Sequence, residues 1–388
     1  MSLNALIVHR SVGWNKDSRI RKLAYTFSKK SINTHAFIWE RANISLSVHP
    51  EKYLKYSCKQ LLFSSKTYPR GSFLFSVIEI IQEILQLLLH FAFNKYNYII
   101  VQNHRQVFHM ILIYYFKFLF KRNCILIWDL RELPTCFNRN SLLVKFFRFS
   151  CQLPDYIWSM NLSRQKYIEN IFKIKCDHFG VVSNFCERNY FNLEKHEIEP
   201  HLADFLSSSN YVHLQNPFNI NRYGMNSIFS VLFSTDLKVV VSGKMSHIFI
   251  KEIFSLFGDN FIKKRCFFTG SVSEDILTSI IDNSLFSIIL YNVSIPNNNF
   301  CDANRLYQSI SRRIPVLVGN NEGLSSYVKK FPIGVVLAED GRNIIDLSHG
   351  IQKILTKIKN NSFCFTEANK YLLWESNEEY IYQCLNRS

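Results

Sequence analysis

Two series of short β-branched runs, each alternating with longer segments of helical periodicity, constrain the fold of this chain more than any other feature. Strands that alternate with helices are typical of a parallel sheet, which binds ligands at the carboxyl ends of its strands. The alternation occurs twice and predicts two α/β halves. The predicted strands are residues 5–8, 34–39, 98–102, 124–129 and 156–160 in the first series, and 238–243, 266–270, 286–291, 315–319 and 334–337 in the second.

Between the two series lies a segment rich in Asn, Ser and Glu, roughly residues 185–230, which we interpret as the interdomain passage with an irregular insertion. The chain has 388 residues and is 47% hydrophobic, so each half is large enough to bury its own core.

The ten cysteines are scattered without a CxxC pair, which argues against a disulfide framework and against a zinc site. The N-terminal "MSLNALIVHR" lacks a basic start and a small-residue cleavage site, so it predicts a first strand and not a signal peptide. Both observations favour a cytoplasmic protein.

The positive charge is concentrated in the first half. Residues 1–160 hold 22 Lys and Arg against 8 Asp and Glu, a balance of +14 out of +16 for the whole chain. Such a surface attracts nucleic acids, anionic lipid headgroups or phosphorylated substrates, and a simply solvated surface has the same composition. The charge alone leaves these alternatives open.

Residues 73–93 are long enough to span a bilayer. Glu79, Gln82, Glu83 and Gln86 recur at helical spacing on one side of this segment, so we predict an amphipathic helix.

Residues 107–120 are too short to span a bilayer and are followed by Lys121 and Arg122. Cations and Phe also alternate in residues 144–150, "VKFFRFS". Aromatic and basic residues together are typical of a helix that lies in the lipid interface, and a core helix with snorkelling cations gives the same pattern.

The stretch "FCDANRLYQSISRRIPVLVGNNEG" (300–323) predicts an anion site. If Asp302 to Asn304 begin a helix, its first turn offers unpaired N–H groups, and Arg305 adds a bidentate cation beside them. Upstream, "VVVSGKMSH" (239–247) is a buried strand that ends in Gly243 with Lys244 next to it. Two such elements in one βαβ series indicate a diphosphate-binding site.

With these motifs the chain resembles the GT-B glycosyltransferases, in the large family 4-type group that builds bacterial surface polysaccharides from nucleotide sugars. The resemblance covers most of the chain in order. It rests on "NKDSRIRKLAYTFSKKSINTHAFIWER" (15–41), "YIIVQNHR" (98–105), "IWDLRELP" (127–134), "VVSNF" (181–185), the motif Ala303-Asn304-Arg305-Leu306-Tyr307-Gln308 and "LLWESNEEYIYQCL" (372–385).

The resemblance implies two Rossmann-like domains whose parallel sheets face a central cleft. Residues 1–184 would form the acceptor-binding domain and residues 185–365 the nucleotide-sugar-binding domain, while the C-terminal helix within 366–388 would cross back to pack on the first. It assigns Gly13, Asp17 and Arg19 to the acceptor side. The implied donor contacts are Gly243, Lys244, Asn304, Arg305, Leu306 and Gln308.

Two positions depart from the family pattern. Gln308 stands where a carboxylate usually accepts hydrogen bonds from the ribose hydroxyls. An amide can still accept such hydrogen bonds, but they are weaker because they are not charge-assisted. Arg131 replaces the usual His between Asp129 and Glu132. The catalytic candidates are His104, Asp129 and Glu132. For His104 and Asp129, the alternative is that they cap the end of a strand.

The sequence therefore predicts a metal-independent glycosyltransferase, in which Lys244, Arg305 and a helix N-terminus neutralise the departing diphosphate. No Asp-x-Asp metal pair is present and no cofactor is expected. The predicted partners are a nucleotide sugar, a lipid-linked glycan of O-antigen or capsule type and the anionic inner face of the cell membrane. The alternatives are a basic nucleic-acid-binding protein, although no readout motif is present, and a non-catalytic GT-B partner in an assembly complex.

Overall fold

The chain folds into two compact units, each built on one parallel sheet. The first unit contains residues 1–182 and 377–388, and the second contains residues 183–376. This computed structural model describes residues 3–11, 18–40, 54–59, 73–133, 142–174, 178–192, 200–207, 210–217, 222–244 and 247–386.

The sheet of the first unit has seven described strands. They are β1 (Leu3–Ser11), β2 (Ile32–Glu40), β3 (Leu54–Lys59), β4 (Tyr98–Gln102), β5 (Ile125–Leu130), β6 (Tyr156–Ser159) and β7 (Phe179–Val181). Their order across the sheet is β3-β2-β1-β4-β5-β6-β7, and every neighbouring pair is parallel.

The central strands of this sheet carry apolar side chains on both faces. All residues of β4 and β5 are buried, as expected where helices cover a parallel sheet on both sides. Ile100 pairs with Ile7 on one side and with Ile127 on the other, so three apolar runs are in register. The predicted βαβ order is confirmed for this half.

The described helices of the first unit are α1 (Ser18–Ser28), α2 (Phe73–Phe93), α3 (Val107–Leu119), α4 (Leu142–Ser150), α5 (Leu162–Phe172) and α16 (Glu378–Leu385). The connections from β3 to β4, β4 to β5 and β5 to β6 advance in the same direction across the sheet. Because such crossovers are right-handed, α2, α3 and α4 lie on one face of the sheet.

Helix α2 has the same bounds as the predicted amphipathic helix, so that prediction is confirmed. Among the described helices, none combines the length and the apolar character that crossing a bilayer requires.

The C-terminal helix α16 packs within the first unit. The Tyr382 hydroxyl donates to the Thr26 carbonyl oxygen at 3.0 Å, and Glu378 accepts from the Thr26 hydroxyl at 3.1 Å. The Tyr380 hydroxyl lies against Gly180, and a Cβ atom added to this glycine would be only 2.0 Å from the hydroxyl oxygen. The end of the chain thus contributes to the unit in which the chain begins.

Six described strands form the sheet of the second unit: β8 (Tyr211–Gln215), β9 (Lys238–Ser242), β10 (Cys266–Gly270), β11 (Phe286–Ile289), β12 (Val316–Val318) and β13 (Gly334–Val336). They are parallel and ordered β10-β9-β8-β11-β12-β13, so the order reverses between β8 and β11. Ligands of open α/β sheets bind at such a reversal, outside the carboxyl ends of the strands.

The helices described in this unit are α6 (Pro200–Ser207), α7 (Gly224–Ser234), α8 (His247–Phe257), α9 (Asp259–Arg265), α10 (Glu274–Asp282), α11 (Pro296–Asn299), α12 (Asn304–Ser311), α13 (Glu322–Lys330), α14 (Ile344–Lys359) and α15 (Thr366–Tyr371). A core of Val, Ile and Leu side chains from β8, β9, β11, α7 and α14 holds the helices on the sheet.

Strand β8 corrects the sequence interpretation of residues 185–230 as irregular. This segment contains α6, β8 and the start of α7. Strand β8 is the first strand of the second sheet and lies at its centre. Its sequence, Tyr-Val-His-Leu-Gln, was not recognised as a buried strand because its middle residue, His213, is polar. In the structure His213 is fully buried beside Ser242.

Candidate functional site

Arg305 lies at the order reversal of the second sheet. It follows the first residue of α12, and its side chain is nearly buried. One guanidinium nitrogen, Nη1, donates to the carbonyl oxygen of Gln215 at the carboxyl end of β8. The guanidinium carbon lies 4.8 Å from the centre of the Tyr291 ring, which follows β11. Arg305 therefore bridges the ends of the two strands between which the order reverses.

A second arginine, Arg222, lies over the same ring and was missed by the sequence analysis. Its guanidinium carbon is 5.4 Å from the Tyr291 ring centre, and Nη1 donates to the Asn216 carbonyl oxygen at 2.9 Å. Burial, and then the charge of Arg305, lower the pKa of Arg222. A cation a few residues after a strand was the available signal, but β8 had not been recognised as a strand.

The two guanidinium groups lack anionic partners in the part of the chain that the structure describes. Among these residues, neither Arg222 nor Arg305 forms an ion pair with a carboxylate. Two like charges that share one aromatic ring in a partly buried site repel each other, and a bound anion relieves this repulsion. The arrangement is suited to an anion with several oxygen atoms.

Two polar atoms on one side of α12 have no hydrogen-bond partner among the described residues. They are Nη2 of Arg305 and Oε1 of Gln308, and both are buried. Residues three apart in a helix share a face, so an unused donor and an unused acceptor lie side by side. Buried polar groups are normally satisfied, and a ligand with both phosphate and hydroxyl groups would satisfy both.

Gly243 shapes the adjoining strand end. It has a φ of +112°, and a Cβ atom there would lie 1.9 Å from Oδ1 of Asn216. Its N–H donates to the Gly270 carbonyl oxygen at 2.6 Å, which ties the ends of β9 and β10 together. Glycine is therefore required here for conformation and for space. Lys244 follows it with an exposed side chain, at the same edge of the sheet as Arg305.

The other predicted donor residues have different environments. The side chain of Leu306 is fully buried in an apolar core cluster, and its donor contact stays a prediction. Asn304 is exposed, and its side-chain oxygen accepts from the Asn184 amide. Asp302 accepts from the Tyr307 hydroxyl and from the Asn184 N–H, so its carboxylate does not cap α12.

His213, a buried histidine in β8, lies close to this site. Nε2 of His213 lies 2.8 Å from the Ser242 hydroxyl, and the ring is completely buried. Burial, and then the charge of Arg305, lower the pKa of His213 to about 3. The imidazole is therefore neutral at physiological pH and adds no further positive charge beside the arginines.

Asp340 positions the loop that carries Tyr291. Its Oδ2 accepts from the Tyr223 hydroxyl at 2.9 Å and from the Val293 N–H at 3.2 Å. Although burial opposes it, hydrogen bonds from Arg342 and Tyr223 lower the pKa of Asp340 to about 2. The ionised carboxylate thus holds the neighbours of both Arg222 and Tyr291 in place.

In the first unit, two of the predicted site residues form a buried ion pair. Arg19 donates to both carboxylate oxygens of Asp129, at 2.8 and 2.7 Å, and neither side chain has exposed surface. Arg19 also donates to the Val182 carbonyl oxygen at 2.9 Å. The fully buried pair anchors α1 to the end of β5, while the catalytic role of Asp129 and the acceptor contact of Arg19 stay predictions.

His104 and Glu132 lie near each other beside this pair. Nδ1 of His104 is 3.2 Å from the Glu132 carbonyl oxygen, and the Glu132 side chain is exposed. His104 is partly exposed just beyond β4, where Asn103 has a φ of +70°. Gly13 and Asp17, the remaining acceptor-side predictions, lie outside the described residues.

No protein-family model and no curated protein sequence matches the chain. Solved structures do match over almost its whole length. Sucrose-phosphate synthase from Thermosynechococcus elongatus has a TM-score of 0.69 at 11% identity, with 98% of each chain covered. Anabaena HepE in complex with UDP has a TM-score of 0.70 at 10% identity, with 100% of each chain covered.

A third similar structure is WaaG, a glycosyltransferase involved in lipopolysaccharide biosynthesis. It has a TM-score of 0.62 at 11% identity and covers 98% of this chain and 99% of its own. Identities this low show a shared fold and leave function to the site itself. With its two parallel sheets of Rossmann type, the chain has the GT-B fold.

Proposed function

We propose that the chain is a glycosyltransferase that moves a sugar from a nucleotide-sugar donor to a glycan acceptor. The observation that carries this proposal is the pair Arg222 and Arg305, two guanidinium groups without carboxylate partners among the described residues, over the Tyr291 ring at the order reversal of the second sheet. A nucleoside diphosphate supplies the anion that such a pair needs. The match to HepE, whose structure contains UDP, supports this ligand class.

In the proposed reaction the bond between the sugar carbon and the diphosphate oxygen breaks, and the acceptor hydroxyl oxygen bonds to that carbon. The hydroxyl proton passes to a neighbouring base or to the departing diphosphate. Negative charge grows on the diphosphate as it leaves. Arg222, Arg305 and Lys244 are fixed cations that stabilise this charge more in the transition state than in the ground state. These three cations neutralise the leaving group in a metal-independent reaction.

Gln308 completes the proposed donor site. Its buried Oε1 has no hydrogen-bond partner among the described residues and lies about one helical turn after Arg305 on α12. It would accept a hydrogen bond from a ribose hydroxyl, as the carboxylate does in the family that the sequence resembles.

For the acceptor side we propose His104 as the group next to the reacting hydroxyl, because Asp129 is neutralised by Arg19 and His104 keeps exposed surface. The acceptor proposed is a lipid-linked glycan in O-antigen or capsule synthesis, and the protein would act in the cytoplasm at the anionic inner face of the membrane. The resemblance of the sequence, the basic first half and the match to WaaG support this finer assignment.

Binding of UDP and hydrolysis of a panel of nucleotide sugars by the purified protein test the proposal. We expect a nucleoside diphosphate to bind in the micromolar range in the presence of EDTA, and slow release of sugar from one donor. Binding without turnover of any donor, even with glycan acceptors, would instead support the non-catalytic partner that Gln308 and Arg131 also permit. A protein that binds no nucleotide would contradict both.

A further inference from the structure

Helix α2 presents its apolar side to solvent and its acidic side to the sheet. The buried positions recur every four residues at Glu79, Glu83, Leu87 and Phe91. The exposed positions lie opposite and recur with the same spacing. We call them the α2 stripe: Val77 (37% exposed), Ile81 (50%), Leu85 (55%), Leu89 (62%) and Phe93 (85%). The stripe is about 24 Å long at the rise of an α-helix.

Buried ionic contacts fix this orientation. Arg10, near the end of β1, contacts the carboxylates of both Glu79 and Glu83, and its Nε is 3.1 Å from the latter. The other oxygen of Glu83 lies 3.3 Å from Nε2 of His109 in α3. If α2 were rotated by half a turn, Arg10 would lose both carboxylate partners. Leaving its charge unpaired at this site would reduce the stability of the fold by several kcal/mol. The outward stripe is therefore a consequence of the fold.

The apolar surface continues onto the two neighbouring helices of the same layer. Phe118 and Leu119 of α3 and Phe149 of α4 are exposed. Arg122, beyond α3, donates to the Ala92 carbonyl oxygen and lies over the Phe91 ring, which joins the C-terminal ends of α2 and α3. An apolar area of this extent on one face of a protein marks an interaction surface.

The charge of this layer has one sign. Glu79 and Glu83 are the only acidic residues in the sequences of α2, α3 and α4, and both are buried. Three exposed lysines border the stripe: Lys95 follows α2, Lys121 follows α3 and Lys145 lies on α4. The exposed carboxylate of Asp155 is paired with Lys117 of α3 at 2.9 Å. Apolar and aromatic side chains bordered by cations complement the interface of an anionic bilayer.

We propose that the α2 stripe is the membrane-docking surface, lying in the plane of an anionic bilayer with Lys95, Lys121 and Lys145 at the headgroups. This deepens the membrane-side location that forms part of the proposed function and rests on it. A second copy of the chain complements this face less well, because pairing two such faces brings Lys95, Lys121 and Lys145 of both copies together, while the exposed carboxylate of Asp155 is already paired with Lys117.

The test is flotation of the full-length protein with vesicles of phosphatidylcholine alone or with 30% phosphatidylglycerol (about a third anionic lipid). We expect binding to the anionic vesicles that weakens with salt. The double variant Leu85→Glu/Leu89→Glu should bind at least tenfold more weakly, because it moves charge into the lipid interface. Lys121→Ser should weaken binding about fivefold. In the variant Leu89→Trp, the tryptophan emission should shift to the blue on addition of anionic vesicles.

The matched control is Ile344→Glu/Ile345→Glu, which introduces the same two charges at exposed apolar positions on α14 of the other unit. It should bind like the wild type. Retained nucleotide binding in the Leu85→Glu/Leu89→Glu variant would show that the fold is intact and keep this test separate from the donor-site proposal. Unchanged vesicle binding in that variant would overturn the proposal. So would a wild-type protein that forms a dimer and binds no lipid, if the variant were a monomer.

Discussion

At the scale of single residues, the donor site depends on charges that the described part of the protein leaves without counter-ions. Arg222 and Arg305 share the Tyr291 ring and repel each other, while His213 beneath them stays neutral because burial and Arg305 lower its pKa. Repulsion between the two arginines lowers the stability of the ligand-free protein, and the same positive charge favours binding of an anion. Stability and ligand binding should therefore respond in opposite directions to substitutions here.

Arg305→Ala, Arg222→Ala and Lys244→Ala should each reduce glycosyl transfer. Loss of one donor to a charge that grows in the transition state costs about 2.7–4 kcal/mol, or a hundredfold to a thousandfold in kcat. The nearly buried arginines should show the larger effects, since Lys244 is exposed to solvent. Steady-state kinetics with the donor found in the nucleotide-sugar panel measure this.

The control for these variants is Lys359→Ala, an exposed lysine of the same unit at the C-terminal end of α14. It should retain full activity. Wild-type rates in both Arg222→Ala and Arg305→Ala would show that the donor does not bind at this ring.

His213 should make the protein sensitive to acid. Its pKa is about 3 in the folded state, below its usual value of 6.5, so the unfolded chain binds the proton first as pH falls. Stability is therefore complete above about pH 6.5 and is lost as pH falls toward 3, by about 2 kcal/mol at pH 5. In His213→Gln, which keeps a polar partner for Ser242, urea unfolding at pH 7.5 and pH 5 should show a smaller loss. Equal losses in both proteins would mean that His213 is protonated when folded.

At the scale of elements, a close approach joins α16 to β7. Gly180 in β7 leaves room for the Tyr380 hydroxyl, and a Cβ atom at this position would overlap with it. The glycine is required here for space, since its φ is not in the left-handed region. The contact makes the position of α16 depend on one strand of the N-terminal sheet.

Gly180→Ala should destabilise the protein by about 1–3 kcal/mol, because the Tyr380 ring has to move out of a packed site. The double variant Gly180→Ala/Tyr380→Leu should recover part of this loss, since the shorter side chain vacates the space. Thermal unfolding of the four proteins in the double-mutant cycle measures the coupling. Strictly additive effects would show that the two residues do not touch in solution.

Across the entire chain, the first of the two compact units is discontinuous in sequence. Residues 377–388 complete the first unit, and the Tyr98 hydroxyl in β4 donates to the Leu385 carbonyl oxygen at 3.4 Å. The preceding segment belongs to the second unit, in which the Trp374 N–H donates to the Cys186 carbonyl oxygen at 2.8 Å. The first unit therefore depends on the last residues of the chain.

Deletion of residues 377–388 should loosen the first unit and spare the second. Hydrogen exchange in β4 (Tyr98–Gln102) should accelerate, because the helix that covers this side of the sheet is lost, while exchange in β9 (Lys238–Ser242) should stay slow. Mass spectrometry of peptides from both sheets measures this. Acceleration restricted to the second sheet would show that α16 belongs elsewhere.

Local sequence patterns were sufficient to predict the βαβ order, ten of the thirteen described strands, the bounds of α2 and the candidates Arg305 and Gly243. Hydrophobic periodicity and the glycine at a strand end are local properties, so they can be recognised along the chain. Strand β8 was missed because its central His213 becomes compatible with a core only beside Ser242 of the neighbouring strand.

The surroundings of each side chain could be known only from the folded chain. It placed Arg222 beside Arg305 over Tyr291, and it neutralised Asp129 with Arg19. The sequence also predicted that α2 is amphipathic, but the contacts of Arg10 with the buried Glu79 and Glu83 decided that its apolar stripe faces outward. A side chain's charge state and exposure depend on groups brought together from distant segments, and local sequence does not contain that information.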